Sequence, residues 1–275
     1  MTKMSRRFFK GMIYAFLIFL LMLSVVPFYL VMINASHSSF DIVTKLNLWL
    51  GDALAENYRT MQTHVNIWRG FANSLLISAS YTLLTGYFGA FVAYGFAKFD
   101  FRGKKMLYGI VLASMMIPSQ VSIIGFYQLN LKLHLLNTYW PFILPGIASA
   151  STVFFMRGII TQSIPDSMIE AARVEGCGEL RIFNRLVYPC VLPGIVTMCI
   201  FNFVASWNSY IGPLIIVSDS RKYTMPVMIS MIKGLYLTNY GAMYLAIAIS
   251  VVPIIIVFCI LSKYIVSGMT AGADK

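Results

Sequence analysis

The side chains that most often perform chemistry in enzymes are few in this chain, and they follow no catalytic pattern. The sequence has three histidines and four cysteines, at His37, His64, His134, Cys177, Cys190, Cys199 and Cys259. They do not stand at the spacing of a metal site or a disulfide framework, and the G-x-x-x-x-G-K-[ST], H-E-x-x-H and G-x-S-x-G motifs are absent from the sequence. We therefore predict a protein that is not an enzyme and that holds no metal and no cofactor.

Uncharged polar and aromatic residues are instead the side chains with binding chemistry. Amides and hydroxyls interleaved with Trp and Tyr suit the hydroxyls and the apolar ring faces of sugars. Candidates for such a substrate path are Asn73, Asn202, Trp207, Asn208 and Tyr210. The alternative is that the polar groups bond between helices and that the aromatic residues lie at a membrane interface. The sequence favours this packing interpretation over substrate contact.

The strongest local signals belong to a predicted helix over residues 166–175. Ser163 is a candidate N-cap for it, and Asp166 puts a negative charge at its positive end. Gly176 follows as the residue best able to adopt the left-handed conformation that ends a helix. The sequence therefore predicts a helix that stops at a glycine corner.

A second short helix should begin near Gly178 and end before Pro189, so that residues 163–189, the interhelical segment, form a helix-turn-helix. A simple connection between helices would need only a few residues. The first helix carries a strip of small and medium apolar residues at Ile164, Met168, Ala171 and Ala172. A helix lying on lipid is the alternative, but the mixed charges and the alanines favour docking into a groove of another protein.

The composition indicates a membrane protein. Of the 275 residues, 59% are hydrophobic and 11% are charged, and the mean hydropathy is +0.75; soluble domains have about 25% charged residues. Six stretches free of Asp, Glu, Lys and Arg each exceed the roughly 20 residues that a spanning helix needs. They predict an all-α membrane protein with six transmembrane helices at about residues 11–34, 71–97, 106–129, 136–157, 190–217 and 240–262. We expect one transmembrane domain over residues 11–275, preceded by a cytoplasmic segment at residues 1–10.

The distribution of basic residues predicts the orientation. With six spans, 14 of the 21 Lys and Arg residues fall on the side that holds both termini. The positive-inside rule then places both termini in the cytoplasm of a multi-pass protein of the cell's inner membrane. This topology explains most of the net charge of +11, which favours anionic lipid and does not require nucleic acid as a partner.

Apart from Arg157 at the end of the fourth, the predicted spans contain no Asp, Glu, Lys or Arg. Carriers driven by protons or ions bury such groups at membrane depth, so their absence argues against a self-energised carrier. A membrane enzyme would need a catalytic constellation, which the scattered histidines do not supply. Because the chain has no ATP-binding loop of its own, the energy must come from a partner. A secondary carrier or channel without ATP coupling stays the alternative.

The stretch from Glu170 to Gly176 resembles a known motif. It reads Glu-Ala-Ala-Arg-Val-Glu-Gly, and Leu-Val-Tyr-Pro follows at residues 186–189. This is similar to the EAA motif of binding-protein-dependent ABC importer permeases, with departures at Cys177, where Ala is common, and at Tyr188, where Leu is common. Further fragments in the family's order lie at residues 71–75, 93–104, 207–209 and 223–227. Together they resemble carbohydrate permeases of the maltose-transporter type, most closely the smaller six-helix subunit.

The resemblance implies a heterodimer of two permeases, a pair of ATPase subunits and an extracytoplasmic sugar-binding protein, which together work by alternating access. It implies that the first helix of the interhelical segment is a coupling helix seated in a cleft of the ATPase. The coupling residues would be Glu170, Ala171, Ala172, Glu175 and Gly176. The external stretches 34–69 and 223–239 would face the binding protein. The substrate stays open among monosaccharides, oligosaccharides and polyols of the glycerol-phosphate kind.

Overall fold

The structure, which is a computed structural model, is mostly helical. It describes the backbone at residues 3–118, 120–233 and 238–270, and the side chains within those ranges from residue 9 to residue 262. The helices are α1 (Lys3–Asn34), α2 (Ser39–Thr44), α3 (Leu54–His64), α4 (Ile67–Lys98), α5 (Lys104–Met115), α6 (Ile123–Lys132), α7 (Trp140–Ile143), α8 (Ala150–Ser163), α9 (Asp166–Val174), α10 (Glu179–Ile182), α11 (Tyr188–Cys190), α12 (Leu192–Trp207), α13 (Ile211–Ile216), α14 (Met225–Met231) and α15 (Tyr240–Thr270). Shorter turns are the 3-10 turns Leu144–Ala148 and Ser220–Lys222 and the π-helical turn Phe183–Val187. The all-α prediction is confirmed.

Long apolar helices match most of the predicted spans. Four helical stretches among the described residues are long and apolar enough to cross a membrane, and a pair bent by 78° would make a fifth. They are Phe9–Asn34, Ile67–Lys98, Trp140–Ser163 and Tyr240–Ser262, with Glu179–Cys190 and Leu192–Trp207 as the bent pair. Pro27 and Pro253 lie inside long helices, which membrane helices tolerate when neighbours satisfy the freed carbonyls. The count of six spans stays a prediction.

The third predicted span, residues 106–129, is not one continuous helix. It forms α5 and α6, which have 12 and 10 residues. Pro118 lies between them. Because proline has no N–H to donate and its ring clashes with the preceding turn, it interrupts a helix. The apolar run is therefore divided into two short helices.

The fourth predicted span ends later than expected. Its helical stretch continues to Ser163 instead of residue 157. Arg157, the last residue of the predicted span, therefore lies inside α8. Its guanidinium carbon lies 4.3 Å from the centre of the Tyr108 ring, and its Nε donates to the Phe96 carbonyl at 3.4 Å. The face of the Tyr108 ring attracts the Arg157 cation, which favours the position of this charge inside α8.

The first and fifth predicted spans also differ from their expected bounds. α1 begins at Lys3, so most of the segment predicted at residues 1–10 belongs to the first helix. The fifth span, expected over residues 190–217, ends at Trp207 and is followed by the separate helix α13. Charge-free runs therefore locate these helices, but they do not define their ends.

One of the two compact units of the chain comprises Met1–Ile67 and Met228–Val252. Within it, the buried side chain of Asn57 in α3 donates hydrogen bonds to the carbonyl oxygens of Ala35 and His37, each at 2.9 Å. Both carbonyls belong to the segment directly after α1. These bonds hold that segment against α3.

The other unit comprises Trp68–Val227 and Pro253–Lys275. Its core draws on α4, α8, α9, α10 and α12, and it consists of Ala90, Ala93, Tyr94, Met156, Ile160, Ile164, Ile169, Ile182, Phe183, Val187, Val191, Ile195 and Met198. α4 approaches α8 closely at Gly89, where a Cβ would lie 2.6 Å from the Thr152 side chain. A glycine is needed there because a side chain would overlap the neighbouring helix. This core joins helices of membrane length directly to α9.

Candidate functional site

The motif that starts at Glu170 lies on helix α9. This helix begins later in the chain than its predicted N-cap. The helix runs over Asp166–Val174, and its N-cap is Pro165, with φ −65° and ψ 145°. The prediction of Ser163 as N-cap is wrong, because α8 continues through Ser163 and leaves only Ile164 and Pro165 as the connection. Proline suits this position because its fixed φ matches the extended geometry of the cap.

One face of α9 is buried and the other is exposed. Ile169 is 2% exposed and belongs to the core, and the half-buried Ala172 packs against that core. Val174 is 89% exposed, and Met168 and Ala171 are exposed as well. The predicted apolar strip is therefore divided, because Ala172 packs inward whereas Met168 and Ala171 face outward.

The glycine corner that ends α9 is confirmed. Gly176 has φ +78°, in the left-handed region. Its N–H donates to the Arg173 carbonyl at 2.9 Å, and the N–H of Cys177 donates to the Ala172 carbonyl at 3.0 Å. This pair of bonds is the Schellman arrangement, which satisfies carbonyls that a helix end leaves unpaired. Gly176 thus ends α9 and directs the chain toward α10.

A lysine at the end of α4 holds the start of α9. The Nζ of Lys98 donates to the Ile164 carbonyl at 2.5 Å and to Asp166 Oδ1 at 2.6 Å. The side chain of Lys98 is 5% exposed, whereas that of Asp166 is 80% exposed. The hydrogen bond from Lys98 holds the pKa of the Asp166 carboxyl below its usual range. α4 is therefore joined to α9 by an ionic contact as well as by apolar packing.

A second polar contact links α9 to α10 across the corner. Arg173 Nε donates to Glu179 Oε1 at 2.6 Å, and the Tyr94 hydroxyl of α4 donates to Glu179 Oε2 at 2.9 Å. The guanidinium carbon of Arg173 also lies 5.2 Å from the centre of the Phe99 ring. The corner is thus held by both of its flanking helices and by α4.

Aromatic rings fill the space behind the corner. Phe183 is fully buried, and the ring centres of its neighbours lie 5.0 to 5.8 Å from its own: Tyr87, Phe91, Tyr94 and Tyr188. Most of these contacts are edge-on, the geometry that the charge distribution of aromatic rings favours. The corner is therefore packed through Phe183 directly against the aromatic residues of α4.

The second helix of the interhelical segment begins as predicted but ends differently. α10 has Gly178 as its N-cap, and it passes through a π-helical turn into α11. Pro189 therefore lies inside a helical stretch instead of ending it. It stands directly after the π-helical turn Phe183–Val187, in the three-residue helix α11. The stretch bends by 78° at Val191, before α12 begins.

The predicted coupling residues lie on α9 and at its corner. Four of them are exposed, namely Glu170, Ala171, Glu175 and Gly176, and Ala172 is half-buried. Sequence analysis missed the residues that position them, which are Lys98, Ile169 and Glu179. The hydrophobicity of Ile169 within a polar helix was an available signal. No local pattern connects Lys98 or Glu179 with the motif.

The two amides of the predicted substrate path are hydrogen-bonded within the chain. Asn73 Nδ2 donates to the carbonyls of Arg221 at 3.0 Å and Tyr223 at 2.9 Å. Asn202 is buried, and its Nδ2 donates to Thr152 Oγ1 at 3.0 Å. One amide therefore joins α4 to the segment before α14, and the other joins α12 to α8.

The three remaining path residues lie around the end of α12. Trp207 is fully buried, with its ring centre 5.5 Å from that of Phe71 and 5.8 Å from that of Phe203. Asn208 and Tyr210 are exposed. Of the five residues, Asn208 and Tyr210 therefore lie at the surface, Trp207 is buried, and Asn73 and Asn202 bond to different parts of the chain.

The helices of membrane length indicate a multi-pass membrane protein, and comparison with known proteins identifies its family. Residues 85–271 match the family described as binding-protein-dependent transport system inner membrane component. The chain is 31% identical over 268 residues to the arabinooligosaccharides transport system permease protein AraQ of Bacillus subtilis. The aligned region covers 95% of each chain. It is 30% identical over 276 residues to the diacetylchitobiose uptake system permease protein NgcG of Streptomyces coelicolor, covering 98% of this chain and 91% of that protein.

A solved structure supports the same fold. The crystal structure of a bacterial ABC transporter involved in the import of the acidic polysaccharide alginate matches with a TM-score of 0.81 at 20% identity, covering 96% of this chain and 99% of that chain. The chain belongs to the family of inner membrane components of binding-protein-dependent transport systems. The family resemblance of the motif that starts at Glu170 is therefore confirmed for the family as a whole.

Proposed function

We propose that this chain is the membrane-spanning translocation subunit of an ATP-driven carbohydrate importer. Relatives that align with nearly the whole chain are named as permeases for oligosaccharides. The observation that carries the proposal is the set of contacts that ties the exposed α9 corner to α4 through Lys98 and Glu179. Such a corner offers a partner a place from which to move the membrane helices.

In this proposal the partner subunits hydrolyse ATP, and this chain catalyses no reaction. The exposed face of α9 seats in a cleft of an ATPase subunit. Movement of that subunit displaces α9, and the contacts of Ile169 and Lys98 pass the displacement to α4. A ligand shifts an equilibrium only by its differential affinity for the two states. The ATPase must therefore hold α9 differently in the inward-facing and outward-facing states.

The roles within the coupling site follow from exposure and side-chain size. Glu170 supplies a polar contact to the ATPase, and Glu175 adds a second acid beside the corner. Ala171 is small and exposed, which permits close seating of the helix. Ala172 is small and half-buried, which lets α9 lie close to the core of this chain. Gly176 supplies the left-handed corner.

Lipid and a second permease subunit cover the apolar surface of this chain in the proposal. The membrane-length part of α1 is almost entirely exposed, with large side chains such as Phe19 and Leu23 at the surface. Exposed apolar patches of this extent belong against lipid or another protein. A heterodimer with lipid around it satisfies this need.

The proposed orientation places both termini in the cytoplasm. The stretches at residues 34–69 and 223–239 then lie outside the cell membrane, where they face a sugar-binding protein; residues 234–237 are outside the described part of the chain. Large apolar side chains are exposed in the first stretch, including Trp49 and Leu50. The binding protein delivers the sugar to the permease pair from that side.

Co-purification tests this function. The tagged chain is expressed together with the genes that neighbour its own, extracted in mild detergent, and its partners are identified by mass spectrometry. We expect a second permease and an ATPase subunit to be recovered. Recovery of this chain alone, still able to transport without ATP, would favour a secondary carrier or channel instead.

A further inference from the structure

A small cavity inside the unit that contains α4 and α12 has a hydroxyl-rich lining. Its volume is about 210 Å³. The residues that contribute hydroxyl groups are Ser74, Ser78, Tyr81, Ser206, Ser209 and Thr224. A water molecule takes up about 30 Å³ of liquid, so the cavity has room for several waters, and a single sugar ring is of similar size.

Two of these hydroxyls have no hydrogen-bond partner within the described chain. Ser78 is 0% exposed and Thr224 is 4% exposed, and neither Ser78 Oγ nor Thr224 Oγ1 is paired. Buried polar groups in native proteins are nearly always hydrogen-bonded, so each of the two atoms has the capacity to bond a molecule that enters the cavity. The neighbouring Ser74 Oγ, in contrast, accepts the N–H of Met225 at 2.7 Å. That bond holds the residue after Thr224 against α4.

The rest of the lining is apolar or aromatic, and none of the lining residues carries a charge. Tyr81 and Phe142 contribute aromatic rings, and Ile77 and Pro213 contribute aliphatic surface. Apolar rings with a few convergent polar groups are typical of small-molecule sites, and this combination complements the hydroxyls and C–H faces of a sugar. A carboxylate or phosphate would be buried here without a cation to pair with it. The lining therefore favours a neutral ligand over an anionic one.

We propose that this cavity is a subsite for one ring of a neutral sugar, with Ser78 and Thr224 as its hydrogen-bonding residues. The proposal rests on the carbohydrate importer function, because it concerns the cargo that the permease carries. It gives this chain a direct part in substrate choice. It also differs from the path expected from the sequence, since the amides of Asn73 and Asn202 are already bonded within the chain.

Hydroxyl-deletion variants test the subsite. Ser78→Ala, Thr224→Val and the double variant remove the unpaired hydroxyls, and Thr224→Val does so with little change in shape. Thr85→Val is the matched control. Thr85 also lies on α4, is 0% exposed and has an unpaired hydroxyl, but it does not line the cavity. Any general cost of altering a buried hydroxyl should therefore appear in this control.

The variants are compared as complete complexes with their co-purified partners in lipid nanodiscs. The probes are radiolabelled lactose, melibiose and arabinobiose, with an alginate disaccharide as the anionic probe. Equilibrium binding and sugar-stimulated ATPase activity are both measured. For a neutral sugar that binds, we expect Ser78→Ala and Thr224→Val each to raise the dissociation constant about fivefold. We expect Thr85→Val to leave it within about twofold, and the anionic probe to bind at least about tenfold more weakly.

The outcomes separate the subsite from the importer function. An unchanged dissociation constant in the double variant would overturn the proposal and indicate that the cavity holds water only. An equal loss in Thr85→Val would overturn it as well. If no sugar stimulates the ATPase, the importer function fails, but binding still decides the subsite. If the unaltered complex then binds a sugar and the double variant binds it more weakly, the subsite is supported. If the unaltered complex binds no sugar, the subsite proposal is overturned.

Discussion

Two residues set the position of α9 by different means. Gly176 acts through its backbone, because the left-handed conformation that it adopts ends the helix. Lys98 acts through its side chain, which reaches the Ile164 carbonyl from 66 positions earlier in the chain. The first constraint is local and could be predicted, whereas the second depends on how α4 packs.

Replacing Gly176 by Ala should destabilise the corner by about 1–2 kcal/mol, since L-residues are disfavoured by this amount in the left-handed region. Gly178→Ala is the matched control, because Gly178 has φ −71° and neither glycine has an atom within 4 Å of an added Cβ. Thermal unfolding of the purified complex should show a larger fall in Tm for Gly176→Ala than for Gly178→Ala, which replaces only the glycine N-cap of α10. Equal Tm values for the two variants would contradict the role of the corner.

Lys98→Met should destabilise the complex more than Asp166→Asn, because Met leaves the Ile164 carbonyl without its donor while the side chain of Asp166 is largely solvated. Melting temperatures provide the comparison. Since the pKa of Asp166 is lowered by Lys98, the ion pair contributes at pH values above the ordinary carboxyl pKa of about 4 and is lost as the pH falls through the lowered pKa. The Tm difference between the unaltered protein and Asp166→Asn should therefore be constant from about pH 5 to 8 and shrink in acid. A difference that grows on acidification would refute this account.

Helix α9 as an element has a buried face and an exposed face, and the exposed face is the proposed docking face. Ile169 lies in the core behind it, and Val174 lies on the open side. The two faces can be altered separately, because Ile169 is the one buried residue of this nine-residue helix. Structural and coupling effects of substitutions should therefore be separable.

Ile169→Ala should loosen α9, because removing a buried isoleucine side chain costs about 2–5 kcal/mol. Val174→Ala on the same helix removes exposed atoms and should leave the stability of α9 unchanged. Hydrogen exchange of the α9 amides in nanodiscs should accelerate in the first variant only. If Val174→Ala accelerated exchange as strongly, the assignment of the two faces would be wrong.

Glu170→Lys should leave the protein inserted in the membrane but abolish sugar uptake, because it reverses a charge on the proposed docking face. The ATPase should no longer co-purify. Asp52→Lys, which makes the same reversal of charge at an exposed position before α3, should retain the ATPase. Normal uptake by Glu170→Lys would count strongly against the coupling role.

The whole chain presents far more apolar surface than a soluble protein would. Four membrane-length helices, or five with the bent pair, are described, and their buried fractions within the chain are low. Lipid and partner subunits must cover what the chain leaves open. The orientation of these helices is a property of the whole molecule, and it stays a prediction from the distribution of Lys and Arg.

Reporter fusions check this orientation. Alkaline phosphatase should be active when it is fused after Asp52 and inactive when it is fused after Asp100, because the first position is expected outside and the second in the cytoplasm. Green fluorescent protein fused at the same two positions should show the opposite pattern. Reversed activities would place the termini, and with them α9, on the outer side and would rule out contact with an ATPase.

Sequence alone determined the class of the protein and the form of the motif. The low content of charged residues and the long charge-free runs predicted membrane-length helices, because hydropathy is a property of a stretch and needs no knowledge of its neighbours. The corner at Gly176 was predictable for a similar reason, since the demand for a left-handed residue is local. The same composition could not show that Pro118 would divide the third run, because membrane helices also accommodate prolines, as α1 and α15 do.

Only the tertiary structure decided how the motif is held. Tyr94 meets Glu179 across 85 positions of sequence, and the pairing of Lys98 with Asp166 is similarly distant. The orientation of α9, with Ile169 inward and Ala171 outward, depends on the surface of α4 and α8 against which it packs. Contacts between distant residues follow from the packing of whole helices, so no local pattern of residues contains them.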